Sequence, residues 1–208
     1  HHTREVPPGM AETITLADGS TMILSGGGAA EIPFAPWARR VRLVRGEALF
    51  TVVHHDDIPF AVECGTAEVV DVGTRFVVHA DATGPSVAVF EGVVHLNAGS
   101  SGSQFLKAGQ AAAVLPSGIV PQPAENEADA TAWRTGVVVF HNTPLSVAAH
   151  RLATAWGRPV TITQPALADL RVSGRFRLED QAGLLRALSL ALPISVRYGA
   201  SGIDFLPR

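Results

Sequence analysis

The first 120 residues alternate apolar and polar positions in short runs, the pattern of β-strands with one buried face. Three β-branched segments stand at the centre, residues 41–53, 60–64 and 69–78. In the third, Val70, Val72, Thr74, Phe76 and Val78 are expected along one face of a single strand, with Asp71, Gly73 and Arg75 on the other. Gly46, the His54-His55-Asp56-Asp57 run, Pro59 and Gly65 read as turns between segments. Upstream, Asp18-Gly19 between two short apolar runs, 14–16 and 21–24, predicts a hairpin. Residues 3–12 read as a lead-in. Gly26-Gly27-Gly28 reads as a flexible turn, since it lacks the Gly-Lys-Ser/Thr ending of a phosphate loop. Runs at 87–90, 93–96, 105–106 and 111–115 continue the series. About ten short strands predict a mainly β N-terminal domain of stacked antiparallel sheets, either a sandwich or a short solenoid.

Residues 116–131 hold three prolines and almost no large apolar side chain, and beyond them the period changes from two to near 3.6. The expected division is a β domain over 11–120, a linker over 121–131 and a small α+β domain over 132–208. Thr143-Pro144 reads as an N-cap with proline at the first helical position. Leu145, Ala148, Ala149, Leu152 and Trp156 form an apolar stripe that Gly157 ends. A second helix runs from an Asp180 cap through Leu184, Leu185, Leu188 and Leu192 to Pro193. The pairs Phe140/Phe176, Ala148/Leu184, Ala149/Leu185, Leu152/Leu188, Trp156/Leu192 and Val160/Val196 are all 36 residues apart. That constant spacing predicts a β-α-β-β-α-β arrangement, with a closing hairpin edge at 203–206.

Composition narrows the function. With 47% hydrophobic and 17% charged residues the chain is expected to fold, and a net charge of -3 offers no basic field for nucleic acid. The single cysteine, Cys64, reads as a small buried hydrophobe. No apolar run of about 18 residues could span a bilayer. His1-His2 read as the end of a purification tag, so the chain is expected to begin partway into a longer protein, with any membrane anchor outside it.

Candidate chemistry is sparse. The 54–57 run is the densest set of metal donors, but neighbours in a turn face water or opposite sides, so it reads as a solvated turn. His79 and His95 are isolated, and no G-x-S-x-G turn is present. Glu47, Glu63, Glu68 and Glu91 read as exposed strand positions. No cofactor, metal site or enzyme is expected. A binding or signalling protein is expected, and the competing class is a secreted carbohydrate- or matrix-binding β module. That class calls for an aromatic-lined site, whereas Trp37, Trp133 and Trp156 fall in three separate segments.

The motifs L-A-D-G-S at 16–20, R-R-V-R-L-V-R-G-E-A-L-F-T-V at 39–52, P-F-A-V at 59–62, V-G-T-R-F at 72–76, V-F-E-G-V-V at 89–94 and L-K-A-G-Q at 106–110 closely resemble the ferric-citrate-regulator (FecR) family of transmembrane anti-sigma factors. W-R-T-G-V-V-V-F at 133–140, T-P-L at 143–145 and V-S-G-R-F at 172–176 also match that family's C-terminal region, which looks like the secretin/TonB short N-terminal (STN) fold. The resemblance implies the periplasmic part of a single-pass inner-membrane protein, attached to the membrane only through a segment outside the chain. It implies three partners: the signalling domain of a TonB-dependent outer-membrane receptor, an extracytoplasmic-function sigma factor reached through a cytoplasmic segment, and a periplasmic protease. Iron or siderophore uptake is the setting it suggests. Some family members are cleaved at a Gly-Thr bond, and Gly73-Thr74 holds the matching position. Receptor docking is expected through the second β-α-β unit, at Leu184, Leu185, Arg186 and Leu188, although the leucine spacing by itself shows only an amphipathic helix.

Overall fold

The computed structural model describes residues 1–35 and 37–208. Among them the N-terminal module contains β1 (His2–Glu5), β2 (Glu12–Thr15), β3 (Thr21–Leu24), β4 (Ala29–Ile32), β5 (Arg40–Thr51), β6 (Phe60–Cys64), β7 (Ala67–Asp71), β8 (Arg75–Ala80), β9 (Ser86–Glu91), β10 (Val93–Asn97), β11 (Ser103–Lys107), β12 (Ala111–Leu115) and β13 (Gly118–Gln122). The long strand β5 organises it. Its first half pairs with β4 and, in parallel, with β6, and its second half pairs with β3 and β8. Two sheets therefore share one strand, in the orders β1-β4-β5-β6-β7-β10-β11 and β2-β3-β5-β8-β9-β12-β13. β5 bends from one sheet into the other at Gly46, where a Cβ would meet Gly28 Cα at 2.7 Å. Val41, Leu43, Val62, Val69 and Leu96 of one sheet join Phe50, Phe76, Val78, Val87 and Val89 of the other in one core. Phe50 stacks on Phe76 with ring centroids 5.3 Å apart. This is a sandwich closed along β5, which decides against the solenoid.

Three stretches differ from the sequence reading. Residues 69–78 form two strands in different sheets, and the crossing at 72–74 resets the alternation, so Val69 and Asp71 point inward while Val72 is 45% exposed. Thr74, Phe76 and Val78 are buried as expected. Part of the lead-in is strand β1, paired with β4, and part of the expected linker is β13, paired with β12. The Gly26-Gly27-Gly28 turn is tightly held, with Val6 N donating to Gly28 O and Gly27 N donating to Val6 O.

The connector is also packed. A short helix α1 (Glu127–Ala130) is capped by Asn126, whose side chain accepts from Asp129 N at 2.8 Å. Ala130 and Trp133 lie against Leu49, Val77 and Ala88 on the outer face of the second sheet. The C-terminal module follows as β14 (Val137–Pro144), α2 (Leu145–Trp156), β15 (Val160–Ile162), β16 (Arg171–Arg177), α3 (Gln181–Ala191), β17 (Ile194–Tyr198) and β18 (Ile203–Pro207). β14 pairs with β16, and β15-β18-β17 form a second small sheet. The spaced pairs Ala148/Leu184, Ala149/Leu185 and Leu152/Leu188 are all buried in one core with Phe140 and Phe205. Helix α2 starts one residue later than expected. Pro144 is its N-cap, and the first helical N–H groups, of Leu145 and Ser146, donate to the carbonyls of Leu170 and Ala168. The Asp180 cap forms as expected, accepting from Gly183 N at 3.0 Å.

The two modules touch through backbone. Gly27, at φ 75°, sits so close to α2 that a Cβ would lie 1.8 Å from Thr154 O. Gly27→Ala is therefore expected to cost about 2–3 kcal/mol, from overpacking plus the positive φ, and to lower the melting temperature. An unchanged melt would mean that α2 is not held against this turn.

Candidate functional site

The crossing between β7 and β8 concentrates unusual features. Gly73 has φ 154°, a conformation that side-chain-bearing residues resist. Asp71 is fully buried, and its Oδ1 accepts from Gly73 N at 2.9 Å. Its Oδ2 has no hydrogen-bond partner, and neither does the buried Thr74 Oγ1. Leaving such groups unpaired costs about 1–3 kcal/mol each. Gly92 makes room for the threonine, since a Cβ there would lie 2.4 Å from Thr74 Cγ2. On the solvent side His54 Nδ1 lies 3.0 Å from where a Gly73 Cβ would stand, and His54 Nε2 is 2.8 Å from Asp56 Oδ1. Arg75, the next residue, bonds Thr51 Oγ1 at 2.6 Å and pairs with Glu127 of α1. The crossing is thereby tied to the connector.

The sequence suggested the Gly73-Thr74 bond but gave no sign of Asp71, which it placed on the opposite face. His54, His55, Asp56 and Asp57 lie on an exposed turn, and among the described residues no three His, Cys, Asp or Glu side chains converge as a metal site. Cys64 is buried, and burial, reinforced by the Asp81 charge, pushes its thiol up to about 12, which makes it inert.

A second cluster joins the modules. Arg151 of α2 donates from Nε and Nη2 to the two carboxylate oxygens of Asp81, both at 2.9 Å, a bidentate pair. Burial alone would raise the Asp81 pKa. The charge and hydrogen bonds of Arg151, with help from His79 and Ser86, outweigh burial and hold the carboxyl below its ordinary range. Glu47 Oε1 lies 4.0 Å from Arg151 Nε and 3.1 Å from His79 Nδ1. The latter contact is close enough for an ion pair but lacks hydrogen-bond alignment, so His79 Nδ1 is left without a partner. His150 Nε2 meets Ala80 O at 3.1 Å. Beside this cluster lies a cavity of ≈ 500 Å³ lined by Met10, Glu47, Asp81, Trp133, Arg151 and Trp156 among others. It brings together two tryptophans that are far apart in sequence. Both indole N–H groups are already used, Trp133 on Ala130 O and Trp156 on Leu178 O.

The docking residues expected on α3 separate cleanly. Leu184, Leu185 and Leu188 are buried in the module's own core and present no surface to a partner, because the apolar stripe is used to seat α3 on its sheets. Arg186 is exposed, and Leu190 is 73% exposed. Among the described residues no helix is long and apolar enough to cross a membrane.

This architecture, a strand-sharing sandwich clasped to a small repeated α+β module, is the class of protein that comparison defines further. Residues 3–95 match the family model described as FecR protein, so the N-terminal module is similar to that family. No curated protein matches it in sequence. Its fold is similar to a crystal structure at 1.65 Å of a "putative anti-sigma factor" from Parabacteroides distasonis ATCC 8503, with TM-score 0.86 and 24% identity over 100% of both chains. A second crystal structure under the same description, at 2.50 Å, has TM-score 0.84 and 25% identity over 100% of this chain and 99% of the other. The family match and the fold together support a regulatory role in signalling.

Proposed function

We propose that the chain is the periplasmic, signal-transducing part of an anti-sigma factor. It responds to the signalling domain of a TonB-dependent outer-membrane receptor and controls an extracytoplasmic-function sigma factor, in iron or siderophore uptake. The observation that carries this reading is the joint between modules. Arg151 of α2 holds Asp81, immediately after β8, and Glu127 of α1 holds Arg75 at the start of the same strand. The C-terminal module thus holds one end of β8, the strand that follows the Gly73-Thr74 bond, and the connector leading into that module holds the other. Scission of that bond, by the chain's own Thr74 hydroxyl with a periplasmic protease acting afterwards, is the output we assign. The likeness over the whole chain to structures described as anti-sigma factors supports the same reading.

Titration calorimetry of the chain against the receptor's folded signalling domain tests it. Binding at micromolar affinity or tighter is expected, and no binding overturns the partner. Arg186→Glu, on the exposed side of α3, is expected to leave the melting temperature unchanged and weaken binding at least about tenfold by reversing the charge on that face. Unchanged affinity would exclude that face. One observation favours the carbohydrate-binding alternative, namely that Trp133 and Trp156 share a cavity. A saturable change in tryptophan fluorescence with oligosaccharide, absent in Trp156→Ala, would decide for it.

A further inference from the structure

Charged side chains line the cavity between the modules in equal numbers, the carboxylates of Glu47, Asp81 and Glu179 and the guanidiniums of Arg134, Arg151 and Arg177. Two of each are already matched. Arg151 holds Asp81 in the bidentate pair, and Arg177 faces Glu179 at 3.5 Å. Glu47 and Arg134 are left over, one anion and one cation on the wall of the same cavity. Among the described residues no hydrogen bond reaches the Glu47 carboxylate, although its side chain is only 14% exposed. Arg151 Nε stands 4.0 Å from it with its donors spent on Asp81, and His79 Nδ1, at 3.1 Å, is misaligned. A mostly buried carboxylate without a donor is uncommon and calls for a partner. Arg134 is exposed, and among the described residues its guanidinium meets neither a carboxylate nor a hydrogen-bond acceptor.

Aromatic walls stand beside both charges. Glu47 and Leu49 share the outer face of the second sheet, opposite His79 and Val77, and Trp133 packs on Leu49 and Val77, one step along the strand from Glu47. Arg134 follows Trp133 directly, in the turn Ala132–Thr135. Trp156 lines the same cavity from α2. Both indole N–H groups are bonded within the chain, so the rings offer a ligand apolar surface and, to an ammonium, a π face.

We propose that this cavity binds a small zwitterion, an amino acid or short peptide, with its ammonium on Glu47 and its carboxylate on Arg134. A volume of ≈ 500 Å³ suits a ligand of that size. The two left-over charges set the class, because a neutral sugar would cover the tryptophans and leave both charges unmatched. Glu47 belongs to the N-terminal module, Arg134 to the connector and Trp156 to α2, so an occupant bridges all three and adds to the clasp.

Calorimetry with phenylalanine and with alanyl-phenylalanine tests the site and separates a free amino acid from a peptide. At least one of them is expected to bind saturably, change the tryptophan fluorescence and raise the melting temperature. Its N-acetylated form, which lacks the ammonium, and its amidated form, which lacks the carboxylate, are each expected to bind about tenfold or more weakly. Two variants separate recognition from structure. Glu47→Gln should bind the zwitterion and the N-acetylated form equally, and Arg134→Gln should bind the zwitterion and the amide equally, each having lost the partner of one charge. No saturable binding of either zwitterion overturns the inference. Binding that the modified ligands or both variants leave unchanged overturns it too, as does binding of a neutral oligosaccharide in place of the zwitterions. If Glu47→Gln does not fold, Arg134→Gln, at an exposed position, and the two modified ligands on wild type decide.

Discussion

Arg39→Ala is expected to cost about 3–5 kcal/mol, enough to unfold most of a marginally stable β module at physiological temperature. Arg39 is the buried cation of this module, with a side chain only 4% exposed. Its Nε donates to Asp18 Oδ2 at 2.8 Å, Nη1 to Ile58 O and Nη2 to Val53 O, and the guanidinium lies 5.8 Å from the Phe60 ring centroid. One side chain thus ties the β2–β3 turn to both ends of the 53–58 loop, which carries His54 against Gly73. Removing it leaves the Asp18 carboxylate with only its Ser20 bonds and takes the side-chain donor from two carbonyls. Burial alone would raise the Asp18 pKa; the bonds from Arg39 and from Ser20 N and Oγ override burial and keep it low. Arg39→Lys keeps the charge but loses the planar fork, so it should recover only part of the loss. Chemical denaturation measures both. A midpoint for Arg39→Ala within experimental error of wild type would show that the loop is held by other contacts.

Arg39 also shows where sequence reading ends. It sits in a run with Arg40, Arg42 and Arg45; alternation puts it on the inward face with Val41 and Leu43, apart from Arg40 and Arg42, but gives the same parity to Arg45, whose side chain remains about half exposed. Strands with a uniform role were legible: residues 60–64 and 111–115 were expected and found as β6 and β12. The hairpin at Asp18-Gly19 and both long helices were equally plain, because each depends on local turn or cap chemistry. Legibility failed where the chain changes sheets. Alternation carried through Gly73 put Val72 inside and Asp71 outside, and the crossing reversed both. The Gly73-Thr74 bond itself could be singled out only by resemblance, while the orphaned Asp71 depended on a register that the sequence does not contain. The contact of α2 with Asp81 spans 70 residues, as does that of His150 with Ala80, and no local pattern announces either. On α3 the leucine spacing was consistent with core or interface, and packing against Phe140 and Phe205 decides for core.

Arg151→Ala is expected to be the most disruptive change at the joint, at about 3–5 kcal/mol, because it strands a buried carboxylate. The Asp81 side chain is 7% exposed and that of Arg151 17%, so solvent can replace little of what is lost. Coupling follows from the same geometry. The Arg151→Ala/Asp81→Ala double variant should lose clearly less than the sum of the single variants, the mark of a direct interaction. With the clasp removed, thermal unfolding should split into two transitions, since each module has its own core and the charge pair is the main polar link between them. The pH dependence has a definite sign. The folded-state pKa of Asp81 is depressed, so its contribution is complete above the unfolded carboxylate pKa of about 3.9 and is lost as pH falls below that toward the folded value. Wild type should therefore show a steeper loss of stability on acidification through this range than Arg151→Ala, in which Asp81 no longer has its strongest partner. If the acid limbs coincide and the variant still melts in one step, the modules are held together by the close contacts at Gly27 and Gly157 instead, and the role proposed for β8 as the strand linking the C-terminal module to the Gly73-Thr74 bond falls.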